Sequence, residues 1–155
     1  MFKVQIHICL NAGSADIYSI LTNIQAYPAI FPFYIETREI DRNIWSVKAR
    51  MNKGFFSEKK GELYEWKTKL QSDAQKLTIR TEELGPKFPL KRLEATWEIS
   101  VSGEYTKIMF THEFEIINFA FTKYILYPIV SFIIKKNSRK LLDKLIYYHN
   151  NYRND

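Results

Sequence analysis

The sequence predicts a single α+β domain in which an antiparallel sheet of about seven strands packs against a long C-terminal helix. Apolar and polar residues alternate in seven segments, and alternation of this kind is typical of strands with one buried face. After residue 116 the apolar residues recur at intervals of three and four, which is typical of an amphipathic helix. A chain of 155 residues is long enough to bury one core, so we expect one domain over residues 1–155.

The first strand is predicted at residues 2–10, and two short helices follow it. Residues 11–13 form a turn, and Ser14 is placed to cap the first helix. Pro28 and Pro32 stand four residues apart, and a helix cannot continue through the second because proline lacks the backbone N–H. The second helix is therefore expected to contain a single turn.

The clearest alternation occupies residues 91–116, where two strands flank a turn at residues 102–104. One face of this hairpin is apolar and aromatic, and His112 is the single histidine on it. Four further strands precede the hairpin, with a turn at Ser72 and Asp73 between the last two. They cover residues 34–41, 44–53, 62–70 and 77–83, and a loop over residues 54–61 joins the second to the third.

The C-terminal helix is predicted to begin near Pro128, because proline is tolerated in the first turn of a helix. It is expected to end in a polar tail at residues 149–155. Its basic residues share the polar side, where they form either a solvated face or a contact surface for an anionic partner or a membrane. These residues are Lys135, Lys136, Arg139, Lys140 and Lys144.

Composition excludes several classes of site. The single cysteine, Cys9, rules out an intrachain disulfide and a cysteine cluster for zinc. The three histidines are far apart in sequence, so we expect no bound metal. The net charge of +6 is spread along the chain without a nucleic-acid-binding motif, so we expect no nucleic-acid partner.

Hydropathy favours a soluble protein. Polar residues interrupt the longest apolar stretch, residues 116–134, so we expect no stable membrane insertion. The lone cysteine and the absence of a signal-peptide pattern favour a cytoplasmic location.

Several short sequences occur in the order and approximate spacing found in one known family. They are the aromatic-Pro-x-x-aromatic-Pro segment within residues 26–34, residues 61–66, residues 85–86, Trp97 and residues 112–114. In this respect the chain resembles the polyketide aromatase/cyclase (cyclase/dehydrase) branch of the START-like (SRPBCC) superfamily. The resemblance covers nearly the whole chain and implies the helix-grip fold, in which a curved antiparallel sheet wraps around the C-terminal helix.

The resemblance also implies a cavity between sheet and helix in which a reactive poly-ketone chain is cyclised and dehydrated. No metal or organic cofactor takes part, and inward-facing arginines polarise the carbonyl groups. At the corresponding positions this chain has Leu70 and Glu83, so the usual carbonyl clamp is missing. The nearby cations Lys69 and Arg80 have the opposite parity and are expected to point out of the cavity.

Three residues are candidates for catalysis: His112, Glu83 and Tyr34. His112 is either a core residue with internal hydrogen bonds or a residue that transfers protons or binds a carbonyl. Its ordinary pKa near 6.5 suits transfer in both directions. Glu83 either lies in water at the edge of the sheet or pairs with a buried cation or with His112. Tyr34 is placed to offer a hydroxyl to a ligand carbonyl.

The candidate ligand-binding residues are inward-facing aromatic, hydroxyl-bearing and aliphatic side chains. Each either packs the core or lines a slot for a planar ligand. The content of 11 Phe, 10 Tyr and 3 Trp residues exceeds what one small core usually absorbs and favours the slot. The candidates are Tyr27, Phe31, Tyr64, Trp66, Thr68, Leu70, Thr81, Trp97 and Phe110.

Three functional hypotheses follow. The first is a polyketide aromatase/cyclase-like enzyme that binds a poly-ketone or polycyclic aromatic intermediate and promotes cyclisation and dehydration, with an acidic acyl carrier protein docking on the basic helix. The second, favoured by Leu70 and Glu83, is a non-catalytic carrier of a lipid, a quinone or another hydrophobic small molecule. The third is an accessory protein whose apolar residues 119–134 dock on a membrane or a protein partner.

Overall fold

A computed structural model of the chain describes residues 1–51, 62–87, 89–117 and 122–152. The strands are β1 (Phe2–Leu10), β2 (Tyr34–Asp41), β3 (Ile44–Met51), β4 (Glu62–Asp73), β5 (Thr78–Leu84), β6 (Leu90–Ser102) and β7 (Tyr105–Ile116). The helices are α1 (Ser14–Thr22), α2 (Tyr27–Ile30) and α3 (Thr122–Tyr152), with a turn of 3-10 helix over Ile24–Ala26. Residues 52–53, at the end of the strand predicted over residues 44–53, and the predicted loop over residues 54–61 lie outside the described residues.

The seven strands form one antiparallel sheet in the order β1-β7-β6-β5-β4-β3-β2. Each strand from β2 to β7 pairs with its neighbours in sequence, and β1 joins the sheet beside β7. β1 and β2 are therefore the two edge strands. The helix α3 lies across one face of the sheet against β1 and β7, α1 packs against β5 and β6, and α2 packs against β2. This arrangement confirms the predicted α+β helix-grip fold.

The interior consists of two apolar clusters under α3. The first, beneath the C-terminal half of the helix, joins α1 and α2 to the middle of the sheet. The second lies beneath the N-terminal half of α3, at the other end of β6 and β7. The first contains Ile79, Trp97, Phe110, Leu142 and Leu145, and the second contains Phe114, Ile116 and Val130.

The helix α3 begins earlier than the sequence predicts. It starts at Thr122 and runs through Pro128, so the prediction of a start near Pro128 was wrong. Pro128 is exposed, and a missing backbone hydrogen bond costs least where water can replace it. The predicted polar tail is also partly helical, because α3 continues to Tyr152. His149 is buried there, and its Nε2 lies 3.2 Å from the carbonyl oxygen of Asn11. Among the described residues, no helix is long and apolar enough to cross a membrane.

The turn between β4 and β5 lies later than predicted. β4 continues through Asp73, and residues 74–77 make the turn. The side chain of Asp73 ends the strand, because its Oδ1 accepts hydrogen bonds from the backbone N–H groups of Gln75 at 3.0 Å and Lys76 at 3.1 Å. Aspartate side chains commonly stabilise turns in this way.

The residues at the two ends of α1 differ from the prediction of Ser14 as the cap. The N-cap residue is Gly13, and Ser14 is the first residue of the helix, so the prediction of Ser14 as the cap was wrong by one position. At the C-terminal end, the hydroxyl of Tyr27 donates to the carbonyl oxygen of Leu21 at 2.6 Å. A side chain from α2 therefore satisfies one of the carbonyl groups that a helix end leaves without a helical partner.

We expect Tyr27→Phe to lower the free energy of unfolding by about 1 to 2 kcal/mol, because the aromatic packing remains while a buried carbonyl loses its donor. Urea unfolding measures the change. Tyr105→Phe is the matched control, since Tyr105 is exposed in the β6–β7 hairpin, and it should change the value by less than about 0.5 kcal/mol. Equal effects of the two substitutions would contradict a capping role for Tyr27.

Candidate functional site

The candidate site lies where the two apolar clusters meet. His112, on β7, stands between Phe110 of the first cluster and Phe114 of the second, and its ring contacts Phe110 edge-on with 4.4 Å between centroids. Ser138 of α3 is buried opposite it, and the Ser138 Oγ lies 3.2 Å from the His112 Nδ1. A polar pair thus separates two apolar regions under one helix.

The hydrogen bonds of Ser138 assign the tautomer of His112. The Ser138 Oγ lies 2.8 Å from the carbonyl oxygen of Ile134, which is shorter than its contact with His112. A serine hydroxyl has one proton, so we assign that proton to the bond with the carbonyl. The Nδ1–H of His112 then donates to Ser138, and the His112 Nε2 carries a lone pair.

Burial lowers the pKa of His112 to about 4, because the interior disfavours the charged imidazolium. The side chain is therefore neutral at pH 7. No described residue donates a hydrogen bond to its Nε2. A nitrogen with this pKa is a weak base, and it is better suited to accept a hydrogen bond from a hydroxyl or an enol than to remove a proton.

Glu83 faces the same interior from β5. Burial raises the pKa of its carboxyl group, and the nearby charge of Lys87 acts in the opposite direction. The alternative pairing with His112 does not form, because β6 lies between the two strands: His112 is opposite Ala95, and Ala95 is opposite Thr81, two residues before Glu83. Lys87, from the loop after β5, is the cation beside Glu83.

The aromatic candidates near α2 form one continuous group. The Tyr34 ring packs against Tyr27 at 5.4 Å and against Trp66 at 6.1 Å between centroids. Burial raises the pKa of Tyr34, so its hydroxyl is protonated at neutral pH and can donate to a ligand oxygen. Further along β4, the Lys87 ammonium lies 5.2 Å from the centre of the Tyr64 ring.

The interior face of the sheet is unevenly covered. Some inward-facing side chains are fully packed, whereas others remain partly accessible to solvent although they point toward the helix side. A side chain that faces inward yet stays accessible marks a space that α3 does not fill. The partly accessible group comprises Tyr34, Tyr64, Trp66, Thr81, Glu83, Ala95 and His112.

Five of the candidate ligand-binding residues are buried core residues. The rings of Trp97 and Phe110 stack with 3.6 Å between centroids and 12° between planes, and both belong to the first cluster. Tyr27, Phe31 and Leu70 are buried in the same cluster. These side chains contribute to the packing of the first cluster.

The hydroxyls of the candidates Thr68 and Thr81 form hydrogen bonds to the backbone of neighbouring strands. The Thr68 hydroxyl donates to the carbonyl oxygen of Glu82 at 3.2 Å, and the Thr81 hydroxyl lies 3.5 Å from the carbonyl oxygen of Ala95. Their protons are therefore directed to the neighbouring strand, which leaves the hydroxyl lone pairs as the groups that a ligand could contact.

Lys69 and Arg80, the cations next to the positions where the family has arginines, point away from the interior, as predicted. Lys69 is exposed, and Arg80 bonds to Glu94 on the outer face of the sheet, with its Nε 2.9 Å from the Glu94 Oε2. Arg92 contacts the same carboxylate. Burial favours a higher pKa for Glu94, but the hydrogen bonds and charges of the two arginines hold it below its usual value. Arg80 therefore neutralises a buried carboxylate and does not reach the interior.

Ser138 is the residue of the site that sequence reasoning missed. A signal exists, because Ser138 interrupts the apolar stripe of α3 between Ile134 and Leu141. A polar residue at such a position should have a partner on the opposite element. No group of three or more His, Cys, Asp or Glu side chains that could hold a metal ion occurs in the described ranges.

The comparisons with known proteins agree with this fold. A family model described as polyketide cyclase/dehydrase and lipid transport matches residues 10–145, which is well over half of the chain. No curated protein matches the sequence.

Several solved structures are similar to the chain. The di-domain ARO/CYC BexL from the BE-7585A biosynthetic pathway has a TM-score of 0.74 at 18% identity; the match covers 97% of this chain and 48% of BexL, so the chain spans about half of its length. Zhui aromatase/cyclase from Streptomyces sp. R1128 has a TM-score of 0.76 at 15% identity, with 96% and 93% covered. A START superfamily protein from Mycobacterium smegmatis has a TM-score of 0.72 at 15% identity, with 93% and 94% covered. At these identities the likeness shows the fold.

The neutral state of His112 predicts a specific pH dependence of stability. Its pKa is about 4 in the folded protein and about 6.5 in the unfolded chain, so the unfolded chain binds the proton first. The stability associated with the neutral ring is complete above pH 6.5 and is lost as the pH falls toward 4. Between pH 7.5 and 4.5 the wild type should lose about 2 to 3 kcal/mol more than His112→Gln.

Urea unfolding at the two pH values measures this difference. Glu83, whose raised pKa acts in the opposite direction, is present in both proteins and cancels. His7→Gln is the control, since His7 is exposed, and it should follow the wild type. A wild type and a His112→Gln variant with the same pH dependence would refute the assignment of a neutral imidazole with a lowered pKa.

Proposed function

The chain belongs to the family described as polyketide cyclase/dehydrase and lipid transport, and from this premise we propose that it binds an apolar small molecule with a hydroxyl or enol group between the sheet and α3. The observation that carries the proposal is the pair of His112 and Ser138. A neutral imidazole, oriented by a serine, offers one unpaired nitrogen between two apolar clusters.

The surroundings of His112 support a ligand that is mostly apolar. Aromatic and aliphatic side chains predominate around His112 and Ser138, and polar groups are few, which is the usual composition of a small-molecule site. His112 is partly accessible, and a ligand hydroxyl can donate to its Nε2, for which no described residue supplies a donor. Tyr34 supplies a donor for a second ligand oxygen.

Of the two functions considered, carrier of a hydrophobic molecule and cyclase of a poly-ketone, the carrier is the better supported. The pKa of His112 is about 4, which makes its nitrogen a weak proton acceptor at neutral pH. Leu70 is buried at a position where the resemblance to aromatase/cyclases implies an arginine, and Glu83 occupies another such position. A site without those cations binds carbonyl groups weakly in the transition state. We therefore place a hydrophobic molecule that bears a hydroxyl group, such as a hydroxylated lipid or a reduced quinone, in the site, held without chemical change.

Cyclisation and dehydration of a poly-ketone is the second candidate. Burial raises the pKa of Glu83, so a carboxyl group that can carry a proton lies on the same face as a proton acceptor, His112. In this reaction His112 accepts a proton from carbon, the resulting enolate carbon bonds to a ketone carbon, and Glu83 protonates the ketone oxygen to a hydroxyl. The protonated His112 then gives its proton to this hydroxyl as it leaves as water, and the Glu83 carboxylate takes a proton from the adjacent carbon as the double bond forms. An acidic acyl carrier protein could deliver the chain to the basic residues Lys135–Lys144 of α3. Among the similar structures, Zhui is named aromatase/cyclase and BexL is named ARO/CYC.

A matched pair of probes tests the proposed hydrogen bond. We expect the wild type to bind 1-naphthol about fivefold to tenfold more tightly than 1-methoxynaphthalene, because only the naphthol can donate to the His112 Nε2. His112→Phe should remove this preference while it retains affinity for the methoxy compound. Quenching of tryptophan fluorescence or calorimetry measures binding, and His7→Gln is the control. An unchanged preference in His112→Phe would refute the proposal.

The fate of a poly-ketone distinguishes the carrier from the cyclase. We expect a synthetic triketone to be recovered unchanged after incubation with the wild type, with its loss measured by liquid chromatography and mass spectrometry. Formation of an aromatic product that His112→Phe or Glu83→Gln abolishes, with binding of the triketone retained, would establish the second candidate. Native mass spectrometry of the purified protein, followed by identification of any bound molecule, gives the ligand class directly.

A further inference from the structure

A second site lies at the margin of the interior, between the edge strand β1 and the N-terminal half of α3. It is a groove with a volume of about 310 Å³, which is large enough for a polar headgroup. Its polar lining comprises Lys3, Gln5, Ser131 and Lys135. Tyr127 and Phe132 of α3 form its apolar side.

The polar lining of the groove is suited to an anion. Lys3 and Lys135 are exposed, and neither forms an ion pair with another residue of the described ranges. The Oγ of Ser131 is buried and has no hydrogen-bond partner. Two ammonium groups and one hydroxyl can all donate to phosphate oxygens, and an anion would give Ser131 the partner that it lacks within the protein.

Along α3 from its N-terminal end, the exposed surface beside the groove carries apolar side chains and then basic ones. Ile125, Pro128 and Phe132 follow one another at helical spacing on the exposed side of α3, and Ile125 is 65% and Phe132 45% exposed. The next two turns of this side carry basic residues. These are Lys135, Lys136, Arg139 and Lys140, all exposed.

A run of exposed apolar side chains next to clustered lysines and arginines fits an anionic membrane surface. The apolar side chains enter the boundary between headgroups and acyl chains, and the basic ones attract anionic headgroups. Ile125 and Phe132 lie roughly 10 Å apart along the helix axis, so both can contact the same leaflet. The net charge of +6 adds a favourable long-range attraction.

We propose that the groove binds the phosphate of an anionic phospholipid at a membrane surface, with Lys3, Ser131 and Lys135 as donors and with Ile125 and Phe132 in the headgroup layer. The contact is peripheral. It does not depend on the interior site, so His112→Phe should bind membranes as the wild type does.

Flotation with vesicles tests the proposal. The wild type should bind vesicles of phosphatidylcholine with 30 mol % phosphatidylglycerol and should not bind pure phosphatidylcholine. The double variant Lys3→Gln/Lys135→Gln should bind the anionic vesicles about 25-fold more weakly, from roughly fivefold for each lysine near the surface. The charge-matched control is Lys69→Gln/Lys107→Gln, which changes two exposed lysines on other strands. Equal losses in the two double variants would overturn the proposal, because they would show attraction by net charge alone.

Two single substitutions separate binding from folding. Ser131→Ala should weaken vesicle binding about threefold while the melting temperature stays the same or rises, because the variant removes a buried hydroxyl that has no partner in the protein. Phe132→Ser should weaken binding more than Tyr147→Ser, which changes an exposed aromatic residue at the other end of α3. A lower melting temperature with unchanged binding in Ser131→Ala would assign that hydroxyl a structural role and contradict the proposal.

The source of the phosphate is tested separately. Titration with glycerol 3-phosphate, followed by NMR at Lys3 and Ser131, should show at most weak binding. Tight binding of this soluble phosphate without binding to anionic vesicles would replace the membrane by a free phosphorylated metabolite and overturn the proposal. Absence of binding in both experiments would overturn it as well.

Discussion

The packing of one helix across a twisted sheet determines where the interior of this protein can be filled. Strands of a sheet rotate relative to one another, so a straight helix approaches some strands closely and diverges from others. The C-terminal half of α3 is tightly packed, with Leu142 only 1% and Leu145 0% exposed. On the side of β4 and β5, inward-facing residues such as Trp66 and Thr81 remain partly accessible. The inward face of β4 and β5 is therefore covered less completely by the helices than the face of β1 and β7.

The pair of His112 and Ser138 stands where an apolar pair would give a more stable protein. Burial of an imidazole costs free energy, and one hydrogen bond to a serine repays only part of it, because the second ring nitrogen has no donor among the described residues. Substitution of both residues by apolar side chains of similar volume would join the two clusters into one core. A polar pair with an unpaired nitrogen is more readily explained by binding of a ligand than by stability.

Local patterns predicted the strands well because alternation is visible in a few consecutive residues. The same reasoning misplaced the start of α3, since tolerance of Pro128 depends on its exposure and not on its neighbours in sequence. It also missed Ser138, because the register between α3 and β7 is set by packing between elements distant in the chain. Glu83 is similar: its inward direction follows from alternation, but its neighbour Lys87 comes from a loop. Contacts between elements that are distant in the chain decide which candidate side chains meet, and local sequence patterns do not reveal those contacts.

The two proposed sites are adjacent because they share α3 and neighbouring strands. Ser131 and Ser138 are seven residues apart, almost two full turns, so they point in nearly the same direction and lie roughly 10 Å apart along the axis. On the sheet, Val4 of the groove is directly opposite His112. An anionic membrane held at the groove would therefore lie close to the polar pair of the interior. Apolar molecules are scarce in water and concentrated in membranes, so a protein that binds them gains by holding a membrane surface beside its binding site. If both proposals hold, the apolar and basic side chains on the outside of α3 and the interrupted apolar stripe on its inside serve one process, the exchange of a hydrophobic ligand with a bilayer.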